Sequence, residues 1–255
     1  MTKSFKTIWI VGASAGIGAA VVEKFQNHPT NADQKIIISA RNEDALNKLA
    51  AGNPNIKPMP LDITDADTVT KTVASIEDEF GLPDLVVLAA GVYAPMNVKD
   101  FSASTIKDHI DTNYLGNVNC LEPLLTKMRA RKSGEIAVVA SVAGYRGLPN
   151  AGAYGPTKAA LINLCETLHA ELEGSGVLLR VINPGFVKTR LTEKNDFEMP
   201  YLQTPEQAAD FIYDGLCKND KFEIAFPPPF VRQLKIARLL PYRIYFKLMR
   251  KMVTK

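Results

Sequence analysis

A short apolar run, Ile8 to Val11, stops at Gly12-Ala-Ser14-Ala-Gly16-Ile17-Gly18, and apolar residues then recur at helical spacing through Ile17, Val21, Val22 and Phe25. A strand, a glycine-rich turn and a helix start in immediate succession constrain the fold strongly. Backbone N–H groups and the helix dipole converge on the turn and favour an anion there, such as a dinucleotide diphosphate. Gly12 permits the tight turn, Gly16 lets a ligand approach the backbone, and Gly18 lets helix and strand pack closely. The spacing is G-x-x-x-G-x-G, a pattern that also serves as a plain tight turn between strand and helix.

The rest of the chain repeats the alternation. Strands are predicted over residues 6–11, 35–39, 56–60, 84–88, 135–140, 177–182 and 222–226, with helical patterns between them. Near-continuous apolar runs belong to strands covered on both faces, so the expected fold class is α/β with a doubly wound parallel sheet. Thr204-Pro205-Glu206-Gln207 reads as a capping box with proline at the first helical position. Residues 190–203 have no period and are expected to form a mobile loop. A long helical stretch over 102–131 carries Asn113 at its centre, where a buried amide needs partners and tends to bend the helix.

Candidate chemistry gathers at the carboxyl ends of these strands. After the second strand comes Ala40-Arg41-Asn42, with no acid to read a ribose 2′-hydroxyl and an arginine suited to a 2′-phosphate; this favours NADP(H) over NAD(H). Asp62, after the third strand, is an acceptor for an adenine amino group or part of the next helix cap. Ser141 leaves the fifth strand, and Tyr154 and Lys158 are spaced to share one face of the following helix. An ammonium beside a phenol is expected to lower its pKa from about 10 and so tune it for proton transfer.

Composition excludes several classes. The 255 residues are 46% hydrophobic, which suits an ordinary globular chain, and no segment approaches the ~20 apolar residues needed to span a bilayer. The first apolar run is too short for a signal-peptide core. Cys120, Cys165 and Cys217 read as buried free thiols of a reducing compartment, and His28, His109 and His169 are too scattered for a metal site. The net charge of +3 conceals an asymmetry: eight of the 30 lysines and arginines fall within residues 232–255, where no acid occurs. Pro241 divides this tail into two helical segments. In the second, Ile244, Tyr245, Leu248, Met249 and Met252 form an apolar stripe opposite Arg243, Lys247, Arg250 and Lys251. Such a helix suits an anionic membrane surface, a neighbouring subunit or the protein's own body. A nucleic-acid partner is not expected.

Gly12-x-x-x-Gly16-x-Gly18, Asp62, Asn113, Ser141, Tyr154-x-x-x-Lys158 and Pro184-Gly185 fall in the order and spacing of the short-chain dehydrogenase/reductase family, which the chain resembles over about residues 6–226. The resemblance implies a Rossmann-type seven-stranded sheet in one domain (1–226); the basic amphipathic extension (227–255) lies outside the family pattern. The resemblance also implies Tyr154 as general acid/base, with Lys158 lowering its pKa and holding the nicotinamide ribose. Ser141 would be the ligand of the substrate oxygen, and Asn113 would hold a relay water. Cofactor contacts would come from Gly12, Ser14, Gly16, Ile17, Gly18, Arg41, Asp62, Ile63, Gly91, Tyr154, Lys158, Pro184, Gly185, Val187 and Thr189. Two departures stand out: Val11 where the family usually has threonine, and Ala89-Ala90-Gly91 for its Asn-Ala-Gly.

The expected activity is hydride transfer between NADP(H) and a carbonyl or secondary alcohol, on a small-molecule substrate, in a cytoplasmic homodimer or homotetramer. A catalytically silent dinucleotide sensor and a membrane-docked reductase of a lipid-like substrate are the alternatives. The substrate loops carry Tyr93, Met96, Tyr145, Phe197 and Met199, which suggests an apolar pocket.

Overall fold

The computed structural model describes residues 3–28 and 34–253. Strands β1 (Thr7–Val11), β2 (Lys35–Ser39), β3 (Ile56–Pro58), β4 (Leu85–Leu88), β5 (Gly134–Val139), β6 (Val177–Pro184) and β7 (Glu223–Phe226) lie within two residues of their expected bounds. They pair in parallel as one seven-stranded sheet, in the order β3-β2-β1-β4-β5-β6-β7. The order reverses between β1 and β4, and a crevice opens there at the carboxyl ends.

Helices α1 (Gly16–Gln26), α2 (Glu43–Ala50), α3 (Ala66–Phe80), α4 (Ala103–His109), α5 (Gly116–Arg131), α6 (Tyr154–Glu171) and α7 (Pro205–Lys218) cover both faces. On one face, Val73 of α3, Leu124 of α5 and Leu161 of α6 share a core with Trp9, Val86 and Ile136. On the other, Val22 and Phe25 of α1 and Ile212 of α7 share a core with Ile8, Ile10 and Ile38. Burial on both faces is why the strands read as apolar runs instead of alternating ones.

Local details refine three expectations. The capping box of α7 is present, with Thr204 Oγ1 accepting from Gln207 N at 3.2 Å and Gln207 Oε1 accepting from Thr204 N at 2.9 Å. The cap of α3, however, is Asp65, which accepts from Thr68 N at 3.0 Å; Asp62 instead bonds Thr64. The stretch 102–131 is broken at its centre by a π-helical turn, Ile110–Leu115, where Gly116 N–H reaches the carbonyl of Asp111.

After β7 the chain continues into α8 (Pro228–Leu239) and α9 (Tyr242–Val253), divided at Pro241 as expected. Phe230 and Val231 of α8 join the main core, so the hairpin starts inside the fold. Arg146 then caps the end of α8, donating through its Nη1 to the carbonyls of Ala237 (2.7 Å) and Leu240 (2.7 Å). Its guanidinium also lies 3.8 Å from the ring centroid of Tyr245. Of the anticipated stripe on α9, Tyr245 is buried against the body, Met249 is half-buried, and Ile244 and Leu248 are exposed. The Met252 side chain and Lys255 lie outside the described residues.

Candidate active site

The crevice at the switch point is a cleft of about 820 Å³. Its floor is the β1–α1 turn. Gly12 adopts φ +91°, and a Cβ there would come within 2.4 Å of Ala90 N, so no side chain fits. This close approach also explains the small residues after β4: Ala89 and Ala90 pass directly over the turn. Helix α1 is capped at Ala15, which offers no side-chain hydrogen bond to the first N–H groups. Ser14, Gly16, Ile17 and Gly18 at that helix start line the cleft wall, and a helix N-terminus there suits a diphosphate.

Arg41 and Asn42 line the cleft beyond β2, and Asp62 and Ile63 line it beyond β3. No carboxylate stands at the tip of β2, where Ser39, Ala40 and Arg41 follow in turn. Asn42 caps α2 through Ala45 N at 2.9 Å. On the opposite wall are Pro184, Gly185, Val187 and Thr189 after β6, with the Thr189 methyl 3.0 Å from where a Gly16 Cβ would lie. These residues together fit an extended dinucleotide.

Ser141, Tyr154 and Lys158 meet at the centre of the cleft. Ser141, two residues beyond β5, caps a 3-10 turn, Val142–Gly144, accepting from Ala143 N at 3.1 Å. Gly144 lets that turn press onto α6: a Cβ there would be 2.7 Å from the Lys158 carbonyl carbon. The contact sets Ser141 against the first turn of α6. Tyr154 opens α6 and meets Tyr93 edge-on, with ring centroids 5.2 Å apart.

The expected lowering of the phenol pKa is not what the geometry gives. Burial pushes Tyr154 up to about 12, and hydrogen bonding with Ser141 only partly opposes this. The Lys158 ammonium sits 5.5 Å from the phenol ring centroid and donates to Val139 O at 2.9 Å. Burial also pulls Lys158 itself down to about 8. Desolvation is the largest cause for both groups, and it disfavours the charged form of each.

Asn113 is fully buried in the π turn. Its Oδ1 accepts from Val92 N at 2.7 Å, and its Nδ2 donates to Val92 O at 2.9 Å and to Thr157 Oγ1 at 3.2 Å. Three bonds hold the segment after β4 against α6 and satisfy the amide. Asn117, which the sequence reading missed, donates its Nδ2 to the Asn113 carbonyl at 2.7 Å. Gly91 lies beside both Asn113 and Lys158: a Cβ on it would be 3.1 Å from Asn113 Oδ1 and 3.7 Å from Lys158 Nζ.

The loops divide differently from expectation. Tyr93 and Phe197 line the cleft, but Met96 is buried under Gly152. Tyr145 is buried with its hydroxyl on Glu223. Residues 190–203 hold no long helix or strand, yet they are pinned. Thr192 Oγ1 bonds Thr189 N and the Val187 carbonyl, and Val187 pairs with Gln203. Tyr93 Oη donates to Asn195 Oδ1 at 2.6 Å, and Lys194 Nζ to Tyr93 O at 2.9 Å, tying the loops across the cleft. Phe230 of α8 also reaches the cleft wall, stacked on Phe186 at 5.5 Å. Among the described residues there is no His/Cys/Asp/Glu cluster able to hold a metal ion, and all three cysteines are buried free thiols.

Fold and cleft thus define a dinucleotide-dependent oxidoreductase. The family model for short chain dehydrogenases matches residues 6–199. An uncharacterized oxidoreductase of Myxococcus xanthus is 32% identical over 246 residues, covering 95% of each chain. A short-chain dehydrogenase structure from Streptomyces avermitilis superposes with TM-score 0.81 over 98% of each chain at 23% identity. The structure of ElxO with NADP bound superposes with TM-score 0.75 at 26% identity, over 87% of this chain and 98% of that one. The chain belongs to the short-chain dehydrogenase/reductase family, and it is an NAD(P)-dependent dehydrogenase or reductase.

Proposed function

We propose that the chain uses NADP(H) and works between a carbonyl and a secondary alcohol, with Tyr154 as the proton donor and acceptor. The observation that carries this reading is the convergence of Ser141, Tyr154 and Lys158 in the cleft that the β1–α1 turn floors. Bound there, the nicotinamide supplies or accepts the hydride. Ser141 holds the substrate oxygen beside the phenol. In the reductive direction that oxygen gains negative charge, and Tyr154 gives it a proton. Lys158, linked to the phenol by the helix turn they share, returns the proton from its ammonium. Asn113 keeps the segment around Gly91 and Val92 closed on α6, which fixes the distance between lysine and cofactor.

The protonation states favour reduction. A phenol near 12 is protonated throughout the neutral range, so it starts as an acid. Rates of NADPH oxidation against ketones and aldehydes, taken from about pH 6 to about pH 10, test the reading. Reduction is expected to be level at low pH and to fall above about 8, as Lys158 loses its proton. Alcohol oxidation needs the phenolate and should climb over the same range. Tight NADPH binding with no turnover on any carbonyl would replace the reading with that of a dinucleotide sensor.

Arg41 supports the cofactor choice, being the cation at the tip of β2 in a cleft wall with no acid there. Arg41→Ala is expected to weaken NADPH binding about 10-fold, as befits an exposed charge-assisted contact, and to leave NADH within about twofold. Equal losses for the two cofactors, read by fluorescence titration, would remove Arg41 from phosphate recognition.

A further inference from the structure

We propose that the α8–α9 hairpin docks the protein on an anionic lipid surface, beside the substrate end of the cleft. Two features of the hairpin carry this. It exposes large apolar side chains: Leu239 (84% exposed), Tyr242 (71%) and Ile236 (64%) lie around the turn at Pro241, with Phe246 (49%) stacked on Tyr242 at 5.5 Å. A turn tipped with leucine and tyrosine buries these groups in the interfacial layer of a bilayer. The charge around it has one sign. Arg238, Arg243, Lys247 and Lys251 are all exposed, and no acid follows Glu223 in the chain.

A second copy of the chain is the less suitable occupant. Like-charged hairpins repel on close approach, whereas an anionic leaflet matches this charge along the whole of α9. Position adds a third argument. Phe230 of α8 lines the cleft, and so do Leu148, Pro149 and Ala151, from the loop whose Arg146 grips α8 and α9. The docking face and the apolar cleft wall are therefore parts of one packed unit. A carbonyl or alcohol dissolved in the bilayer would reach the phenol past Phe186, Phe197 and Phe230, which points to a lipophilic substrate. That substrate class rests on the reading of the site proposed above; the docking does not.

Co-sedimentation of the full chain with vesicles separates the possibilities. Phosphatidylcholine vesicles containing phosphatidylglycerol should carry the protein down, and pure phosphatidylcholine vesicles or high salt should not. Each basic residue near an anionic leaflet contributes about fivefold, so the double variant Arg243→Glu/Lys247→Glu should partition ~25-fold more weakly or worse. Leu239→Asp should also reduce partitioning. In both variants NADPH binding and reduction of a water-soluble ketone should be unchanged, which shows that the fold and chemistry persist. Partitioning equal in wild type and variants, or no preference for anionic vesicles, overturns the docking. A change of sedimentation coefficient in these variants without vesicles would assign the face to a second copy and overturn it as well. If docking holds but the wild type reduces the water-soluble ketone and no vesicle-borne one, the lipophilic substrate class fails alone.

Discussion

Tyr154→Phe is expected to lower the turnover number by ~10²–10⁴-fold in both directions, the range that a positioned proton donor contributes. NADPH affinity should stay within about twofold. The phenylalanine ring keeps the edge-on contact with Tyr93, whose ring centroid lies 5.2 Å away. The Lys158 ammonium keeps its bond to Val139 O at 2.9 Å, so its place at the cleft floor does not depend on the phenol oxygen. The removed group is therefore one hydroxyl with a single chemical role. A variant retaining more than about a tenth of wild-type turnover would assign the proton to another group. The measurement is a pair of titrations, one of NADPH binding by fluorescence and one of initial rate against carbonyl concentration.

The phenol reaches the cleft in a state opposite to the one that spacing alone suggests. Tyrosine and lysine four residues apart on a helix lead to an attraction that acidifies the phenol. That argument contains no burial. In the folded chain α6 begins beneath the 3-10 turn that Ser141 caps; Lys158 is buried there and Tyr154 partly so. The tyrosine rises to about 12 and the lysine falls to about 8, so the neutral form of each is favoured and only the lysine titrates closer to the working range. A phenol that keeps its proton suits donation to a developing alkoxide, which is the stronger base.

The same contrast explains what could be read from the residues and what could not. Every strand was legible, because parallel strands covered on both faces are apolar at successive positions, as in Leu85–Leu88. The capping box at Thr204 was legible because it is a local bond pattern. Asp62 and Asp65 both precede α3, and only the path of the chain shows that Asp65 takes the cap. Met96 and Tyr145 sit in loops next to pocket residues of similar size. They turn inward because Gly152 and Glu223, distant in sequence, receive them. Phe230 was missed for the converse reason: in an apolar helical pattern it looks like any core residue, although its place just after the proline run and β7 put it near the carboxyl ends. Asn117 had a signal, since an amide one turn after Asn113 in a helix of buried residues needs a local acceptor.

Arg180→Ala is expected to cost about 3–5 kcal/mol of stability, the largest effect among substitutions outside the cleft. Arg180 is fully buried in β6. Its guanidinium donates to Lys221 O at 2.7 Å, Glu135 Oε1 at 2.9 Å, Gly215 O at 2.8 Å and Asn219 Oδ1 at 3.2 Å. One side chain thus joins β5 and β6 to α7 and to the entry into β7. Removing it strands the Glu135 carboxylate, itself buried, with Lys3 as its remaining cation at 2.8 Å. A buried carboxylate left with one partly exposed cation, and three carbonyl-type acceptors without their donor, account for the size of the loss. Urea unfolding should show a lower midpoint with an unchanged slope, because the surface exposed on unfolding hardly changes. The paired variant Arg180→Met/Glu135→Leu separates charge from packing. It should recover much of the lost stability if the stranded carboxylate is the cause, and it should be as unstable as Arg180→Ala if the lost carbonyl bonds dominate. The network sits toward the amino ends of the strands, away from Ser141 and Tyr154 beyond the carboxyl ends. NADPH affinity of the folded fraction should therefore match that of the wild type, and a loss of affinity in fully folded protein would show that strain from this end of the sheet reaches the cleft.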